Sequence, residues 1–277
     1  MGNNTIPREA NNRVMTIDEI RQCQMEMMDL VDSVCRKEGI EYTLAYGTLI
    51  GAVRHGGYIP WDDDLDIVLM RSEYNRLIEA LQKTNMDHFH VINNSFFAYT
   101  KICDDRTYVI EKRKFNIPDY GVWIDIFPYD ELPALGTDES KALRKKLQRS
   151  LNLSTYRGLS YQSIPRGNAV TFLRGVAIKA IVGLLPMDFF AKRWDKYKQR
   201  YNGTNTGFVG FPVPYDPACY TNRADEFQDY TDIMFENHRY RTITDWDTHL
   251  TECYGNYMEL PPVEEQVSNH SYTAYWK

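Results

Sequence analysis

From residue 17 onward, apolar side chains return at roughly helical spacing (Ile17, Ile20, Met27, Val31, Val34), the repeat of one helix face. Thr16 followed by Glu19 forms a capping-box pattern at the start of this run, and Gly39 supplies a stop. The period then falls to two. Tyr42, Leu44 and Tyr46 alternate with Thr43 and Ala45, which predicts a strand. Gly47-Thr48 breaks it, residues 49–53 read as a short helix, and Arg54-His55-Gly56-Gly57 reads as a turn. The apolar run at 65–70 predicts a second strand. Ser72 is expected to cap a helix reaching about Lys83, and strand-like pieces follow at 90–92, 96–102, 107–111 and 122–127. From residue 138 to about 201 the pattern is helical. The remainder is rich in Tyr, Pro and Asn, with short helices expected near 225–227 and 245–254.

This order of elements predicts an α/β (α+β) protein, a mixed sheet flanked by helices with a mainly helical C-terminal part. The expected organisation is a disordered arm at 1–14, a core at 15–137, and a C-terminal part at 138–277 that is basic, then aromatic-rich, and packs on the core.

Composition narrows the class. Of 277 residues, 43% are hydrophobic and 25% charged, an ordinary globular balance that excludes disordered and fibrous chains. The net charge of −6 argues against a nucleic-acid partner. The charge is uneven, however. Residues 141–200 carry fourteen Lys or Arg against two acids, which suggests a face that meets an anionic surface or substrate, membrane lipid among them, although the same run also suits a solvated helix face. Five cysteines at irregular spacing signal neither a zinc site nor a disulfide framework and read as reduced and mostly buried. The polar residues 1–12 lack the apolar stretch of a signal peptide. Arg174, Lys179, Pro186 and Asp188 interrupt the most apolar segment, 170–190, too often for a membrane span. The expected setting is the cytoplasm, with the inner face of the cell membrane as the second option.

The chemistry concentrates in YGTLIGAVRHGGYIPWDDDLDIVLM, residues 46–70. Asp64 and Asp66 are two apart at the edge of an apolar strand, so their carboxylates point the same way, ~6.6 Å apart along the chain. Like charges so close repel, and a divalent cation would relieve them. Mg2+, with Mn2+ as the alternative, suits carboxylate oxygens and substrate phosphates. Asp125, a lone acid within the apolar GVWIDIF, is the third candidate ligand, because a buried strand tolerates a charge only when it is paired or metal-bound. An acidic triplet alone also suits a solvated loop. Gly47 and Thr48, where a strand passes into a helix, offer backbone N–H groups to an anion, although Gly-Thr is also an ordinary helix start. Arg54 and His55, beyond the short helix, and Lys101, on a strand beside the acids, are further candidate phosphate contacts.

The run GTLIGAVRHGGYIPWDDDLDIVL closely resembles the signature of the LicD family, bacterial phosphocholine transferases related to fukutin-related proteins. Lys101 with residues 105–107, WIDIFP at 123–128 and YGNYMELPP at 254–262 also resemble family motifs. Where the family often ends with paired His, Ser268-Asn269-His270-Ser271 offers one. The resemblance implies a nucleotidyltransferase-like fold. It also implies donor phosphate on Gly47 and Thr48, and magnesium on Asp64, Asp66 and Asp125. The implied reaction moves a phospho-alcohol, phosphocholine first among them, from CDP-choline or a similar CDP-alcohol. The acceptor would be a glycan hydroxyl, free or lipid-linked, on a cell-surface polysaccharide, teichoic acid or lipooligosaccharide precursor. Two other classes use or retain the same residues: a nucleotidyltransferase that makes a CDP- or UDP-activated compound and releases pyrophosphate, and a non-catalytic glycan-binding module. A choline headgroup would require aromatic ring faces, for which the chain has twenty Tyr and five Trp.

Overall fold

Helix α1 (Ile17–Glu38) forms where the periodicity places it. Thr16 and Glu19 close the capping box at its start, and Gly39 ends it in the left-handed region at φ 63°. Its inner face buries Ile20, Cys23, Gln24, Met27, Met28, Val31, Val34 and Cys35, each large apolar side chain contributing roughly 1.5–3 kcal/mol. The structure is a computed structural model that describes residues 13–93, 98–111, 117, 119–158, 164, 167–186, 188–214, 220–268 and 272–277.

Helix α1 packs on a mixed sheet. Its strands β1 (Thr43–Leu44), β2 (Asp66–Met70), β3 (Phe89–Asn93), β4 (Thr100–Asp104) and β6 (Trp123–Glu131) lie in the order β1-β2-β6-β4-β3. The β2–β6 pair is parallel and the others are antiparallel. A parallel pair requires a long crossover, and here it carries α3 (Arg71–Lys83), β3, β4 and β5 (Thr107–Glu111). The mixed-sheet α/β class expected from the sequence is the class observed.

Three local differences have physical causes. The first strand stops at Leu44 because Tyr46, at φ 48°, turns the chain into α2 (Tyr46–His55), so Gly47 and Thr48 lie inside a helix rather than ahead of it. Ser72 does not cap α3. The helix starts at Arg71, with Met70 at the cap position and no side-chain cap bond. Arg71 is drawn inward by Asp130, which it meets through Nε at 2.8 Å and Nη2 at 2.5 Å, and it reaches Asp195 at 2.9 Å. Asp130 is thus one half of a largely buried ion pair.

The C-terminal part is helical only as far as Tyr201, through α4 (Asp138–Gly158), α5 (Ala169–Gly183) and α6 (Phe189–Lys198). Short strands follow. β7 (Phe208–Gly210) pairs with β6 and with β8 (Asn222–Arg223), so this part extends the same sheet. β9 (Tyr230–Phe235) and β10 (His238–Ile243) form a hairpin, α7 (Trp246–Tyr254) follows, and β11 (Tyr272–Trp276) pairs with β5. Residues 1–12 of the expected arm lie outside the described residues, while Val14 bridges to Tyr275. Buried Lys198 on α6 donates to Ala98 O at 2.6 Å and lies 3.6 Å from Asp195, joining α6 to the sheet. Burial pushes it down to about 8, against the pull of Asp130 and Asp195.

Cys23, Cys35 and Cys103 are buried thiols, and Cys219 lies outside the described residues. Among the described residues, no helix is long and apolar enough to cross a membrane.

Candidate active site

The site is built at the ends of β2 and β6. Parallel pairing sets Asp66 directly beside Asp125, and antiparallel pairing of β4 with β6 sets Lys101 on the other side of Asp125. Three residues far apart in sequence therefore form one row across three strands. Lys101 is 1% exposed and its ammonium forms an ion pair with Asp125 Oδ1, while Trp123 Nε1 donates to Asp125 Oδ2 at 3.3 Å. Asp66 is buried. Burial, reinforced by Asp64, Asp125 and Asp62 and opposed by Lys101, pushes its carboxyl well above the usual range. Half-buried Asp64 sits just ahead of β2, in the extended segment that leads into it.

The start of α2 brackets Asp66. Its backbone N–H donates to Thr48 Oγ1 at 2.9 Å and its carbonyl accepts from Ala45 N at 3.0 Å. Buried Thr48 therefore uses its hydroxyl to fix the strand that carries the acids. Gly47 allows a close approach, since a Cβ there would lie 2.6 Å from Asp62 Oδ2. The cap residue Ala45 gives α2 no side-chain cap and the first turn carries no acid, so the positive end of the helix dipole faces the acidic segment. Tyr46 holds the turn at its positive φ, a conformation that costs a bulky residue about 1–3 kcal/mol and concentrates at functional sites.

The acidic loop is held from outside by residues that carry no motif. Arg21 Nη2 donates to the carbonyls of Ile59 (3.0 Å), Pro60 (3.0 Å) and Asp62 (2.7 Å). Buried Gln24 donates to Asp63 O at 2.8 Å and to Trp123 O at 3.3 Å, linking the loop to β6. Tyr272 on β11 reaches Asp63 O at 3.3 Å. In sequence, the only hint of these roles was a polar Gln24 on the buried face of α1.

Two candidate phosphate contacts are placed differently from the rest. Arg54 donates to the carbonyls of Tyr257 (2.8 Å) and Glu259 (3.1 Å) and to His55 Nε2 (3.0 Å), so its guanidinium fastens α2 to the segment after α7. Burial lowers its pKa. His55 is exposed at the end of α2, its ring edge-on to Trp61 at 6.4 Å, and burial followed by Arg54 pushes its pKa down. Phosphate binding by this pair gains no support from the geometry. His270 lies outside the described residues.

The donor set is hard carboxylate oxygen, and Asp66 carries the electrostatic load that a divalent cation would relieve; on both counts the residues fit magnesium. The three aspartates do not bring one oxygen each within 4.8 Å of one another. Among the described residues, the group that does is Glu26, His88 and Asp104, where Arg106 already lies 2.6 Å from both carboxylates. At Asp125 the oxygens are turned toward Lys101 and Trp123.

Residues 39–154 match the family described as LicD/FKTN/FKRP, nucleotidyltransferase domain. The lipopolysaccharide cholinephosphotransferase LicD of Haemophilus influenzae is 28% identical over 278 aligned residues, covering 94% of this chain and 98% of that protein. Two uncharacterized proteins, from Rickettsia typhi and Rickettsia prowazekii, are 34% and 33% identical over 38% and 35% of this chain and 35% and 48% of their own lengths. The family match spans α2, β2, β4 and β6 and so contains the whole row of Asp66, Asp125 and Lys101. The chain is thus similar to the LicD family over residues 39–154 and to a LicD protein over nearly its whole length.

Proposed function

We propose that the chain is a phosphotransferase that moves phosphocholine from a CDP-linked donor to a saccharide hydroxyl of lipopolysaccharide. One observation carries the reading. Asp66 and Asp125 are aligned on neighbouring parallel strands, beside a glycine-containing helix start, in a chain that matches a lipopolysaccharide cholinephosphotransferase over nearly its whole length. Asp64 and Asp66 would hold magnesium, with Asp125 as a further ligand. When bound, the ion supplies charge neutralisation on the diphosphate and fixes its oxygens.

The chain's own groups do the positioning. The first turn of α2 presents its positive end to donor phosphate, and Thr48 and Ala45 hold Asp66 in register. Lys101 sets the orientation of Asp125. The acceptor oxygen bonds to the choline-bearing phosphorus as the bond from that phosphorus to the CMP oxygen breaks, and the acceptor proton leaves to solvent.

Incubating the protein with CDP-choline, magnesium and lipopolysaccharide is expected to release CMP and give a phosphocholine-bearing glycan by mass spectrometry. Release of pyrophosphate from CTP and a phospho-alcohol would establish the nucleotidyltransferase reading instead. Failure of calorimetry to detect binding of any of these nucleotides would favour the binding module.

The acceptor's lipid part gives a role to α5. Val170, Leu173 and Ile181 are 75%, 64% and 66% exposed and fall on one stripe of that helix, which its C-cap residue Leu184, 88% exposed, continues, with exposed Arg174 beside it. An apolar stripe flanked by basic residues suits an anionic lipid surface. Vesicles containing phosphatidylglycerol are expected to sediment the protein at low salt. Leu173→Asp with Ile181→Asp is expected to cut the bound fraction at least fivefold. Equal binding to pure phosphatidylcholine, or none at low salt, would contradict this role.

A further inference from the structure

Beside the row of charged residues lies a group of aromatic rings that the transfer chemistry leaves unused. Phe127 is two residues beyond Asp125 on β6, and so on the same face of the sheet. Tyr99 is two residues ahead of Lys101, and Tyr46 immediately precedes Gly47. The rings touch as a set. Tyr99 and Phe127 are 4.4 Å apart between centroids, Tyr46 and Phe127 meet edge to face at 5.5 Å, and Tyr46 and Tyr220 lie at 5.3 Å. Phe211 backs them, 5.1 Å from Phe127. Phe211 is buried, whereas Tyr46, Tyr99, Phe127 and Tyr220 are only half-buried, so the group is a wall rather than a closed core.

One feature shows that these rings accept positive charge. Ammonium groups already rest on its edges: Lys101 Nζ lies 5.2 Å from the Tyr99 ring and Lys198 Nζ 4.3 Å from the Phe211 ring. Tyr46 reaches the wall through a left-handed backbone that a bulky side chain rarely adopts, so the chain departs from ordinary geometry at this place. A two-residue step along a strand is ~6.6 Å, comparable with the reach of a phosphoryl group joined through two carbons to a nitrogen.

We propose that Tyr46, Tyr99, Phe127 and Tyr220 receive the quaternary ammonium of the transferred alcohol and set the preference for a trimethylated headgroup. The inference rests on the phospho-alcohol reading above and assigns its specificity determinant. A quaternary ammonium has no N–H to hydrogen-bond and is held through ring faces, so the wall favours choline over ethanolamine.

Calorimetry on the full chain with magnesium, using CDP-choline, CDP-ethanolamine and CDP as probes, tests it. The wild-type protein is expected to bind CDP-choline at least tenfold more tightly than CDP, and more tightly than CDP-ethanolamine. Tyr99→Leu and, independently, Tyr220→Leu are expected to reduce the advantage of CDP-choline over CDP at least fivefold while leaving CDP affinity within twofold. Tyr99→Phe, which keeps the ring, is expected to retain the advantage. Equal affinity of the wild type for CDP-choline and CDP would overturn the proposal. So would Leu variants that lose both ligands alike, the signature of a packing role. A choline preference without any phosphocholine transfer would sink the transfer reading and leave this one standing; transfer without a preference would do the reverse.

Discussion

Asp66→Asn is expected to lower phosphocholine transfer by at least a thousandfold, about 4 kcal/mol of lost transition-state stabilisation, while the protein stays folded. The amide matches the carboxylate in shape but lacks the charge that would hold a divalent cation. The fold has no need of that charge. Asp66 is buried and repelled by Asp64, Asp125 and Asp62, and its structural bonds run through its backbone to Thr48 and Ala45. The melting temperature of metal-free Asp66→Asn is therefore expected to equal or exceed that of the wild type. Turnover within tenfold of wild type would refute the role, and a large fall in melting temperature would show that the loss of activity came from misfolding.

Lys101→Met has the opposite profile. It removes the partner of a buried carboxylate, and breaking such a pair costs about 3–5 kcal/mol because the remaining charge stays buried. Urea unfolding without magnesium should show that loss. Added magnesium should raise the melting temperature of the variant more than that of the wild type, since the bare Asp125 carboxylate gains a reason to bind the ion. In the double variant Lys101→Met/Asp125→Leu most of the stability is expected to return, because an apolar pair of similar volume replaces a buried ion pair at little net cost. A single-variant loss below about 1 kcal/mol would mean that Asp125 is better hydrated than its burial implies.

Much of this was legible in the sequence where the signal is local. The Thr16–Glu19 box and Gly39 bounded α1 to within a residue, because caps act through neighbouring atoms. Asp125 stood out as an acid in an apolar strand, and Lys101 was placed on a strand beside it. Their side-by-side register, however, follows from pairing between distant strands and leaves no local trace. The holds on the acidic loop from Arg21, Gln24 and Tyr272 were invisible for the same reason, since each is a side chain reaching a backbone carbonyl far along the chain. Arg54 looked like a phosphate ligand because its residue type permits it, and the carbonyls of Tyr257 and Glu259 supply an alternative partner that no pattern announces. Ser72 is a good cap by type, but Arg71 pairs with Asp130 and the helix starts two residues earlier than that cap would set, with Met70 at the cap position. β7 and β8 leave no periodic trace because they span only three and two residues.

The parallel pairing of β2 with β6 also sets what the site costs in chain entropy. A hairpin closes a short loop, whereas this pair is joined through a crossover that carries a helix and three strands, so its loop-closure entropy is larger. Asp66 and Asp125 are thus juxtaposed only through a long-range contact, whose closure costs more chain entropy than that of a hairpin.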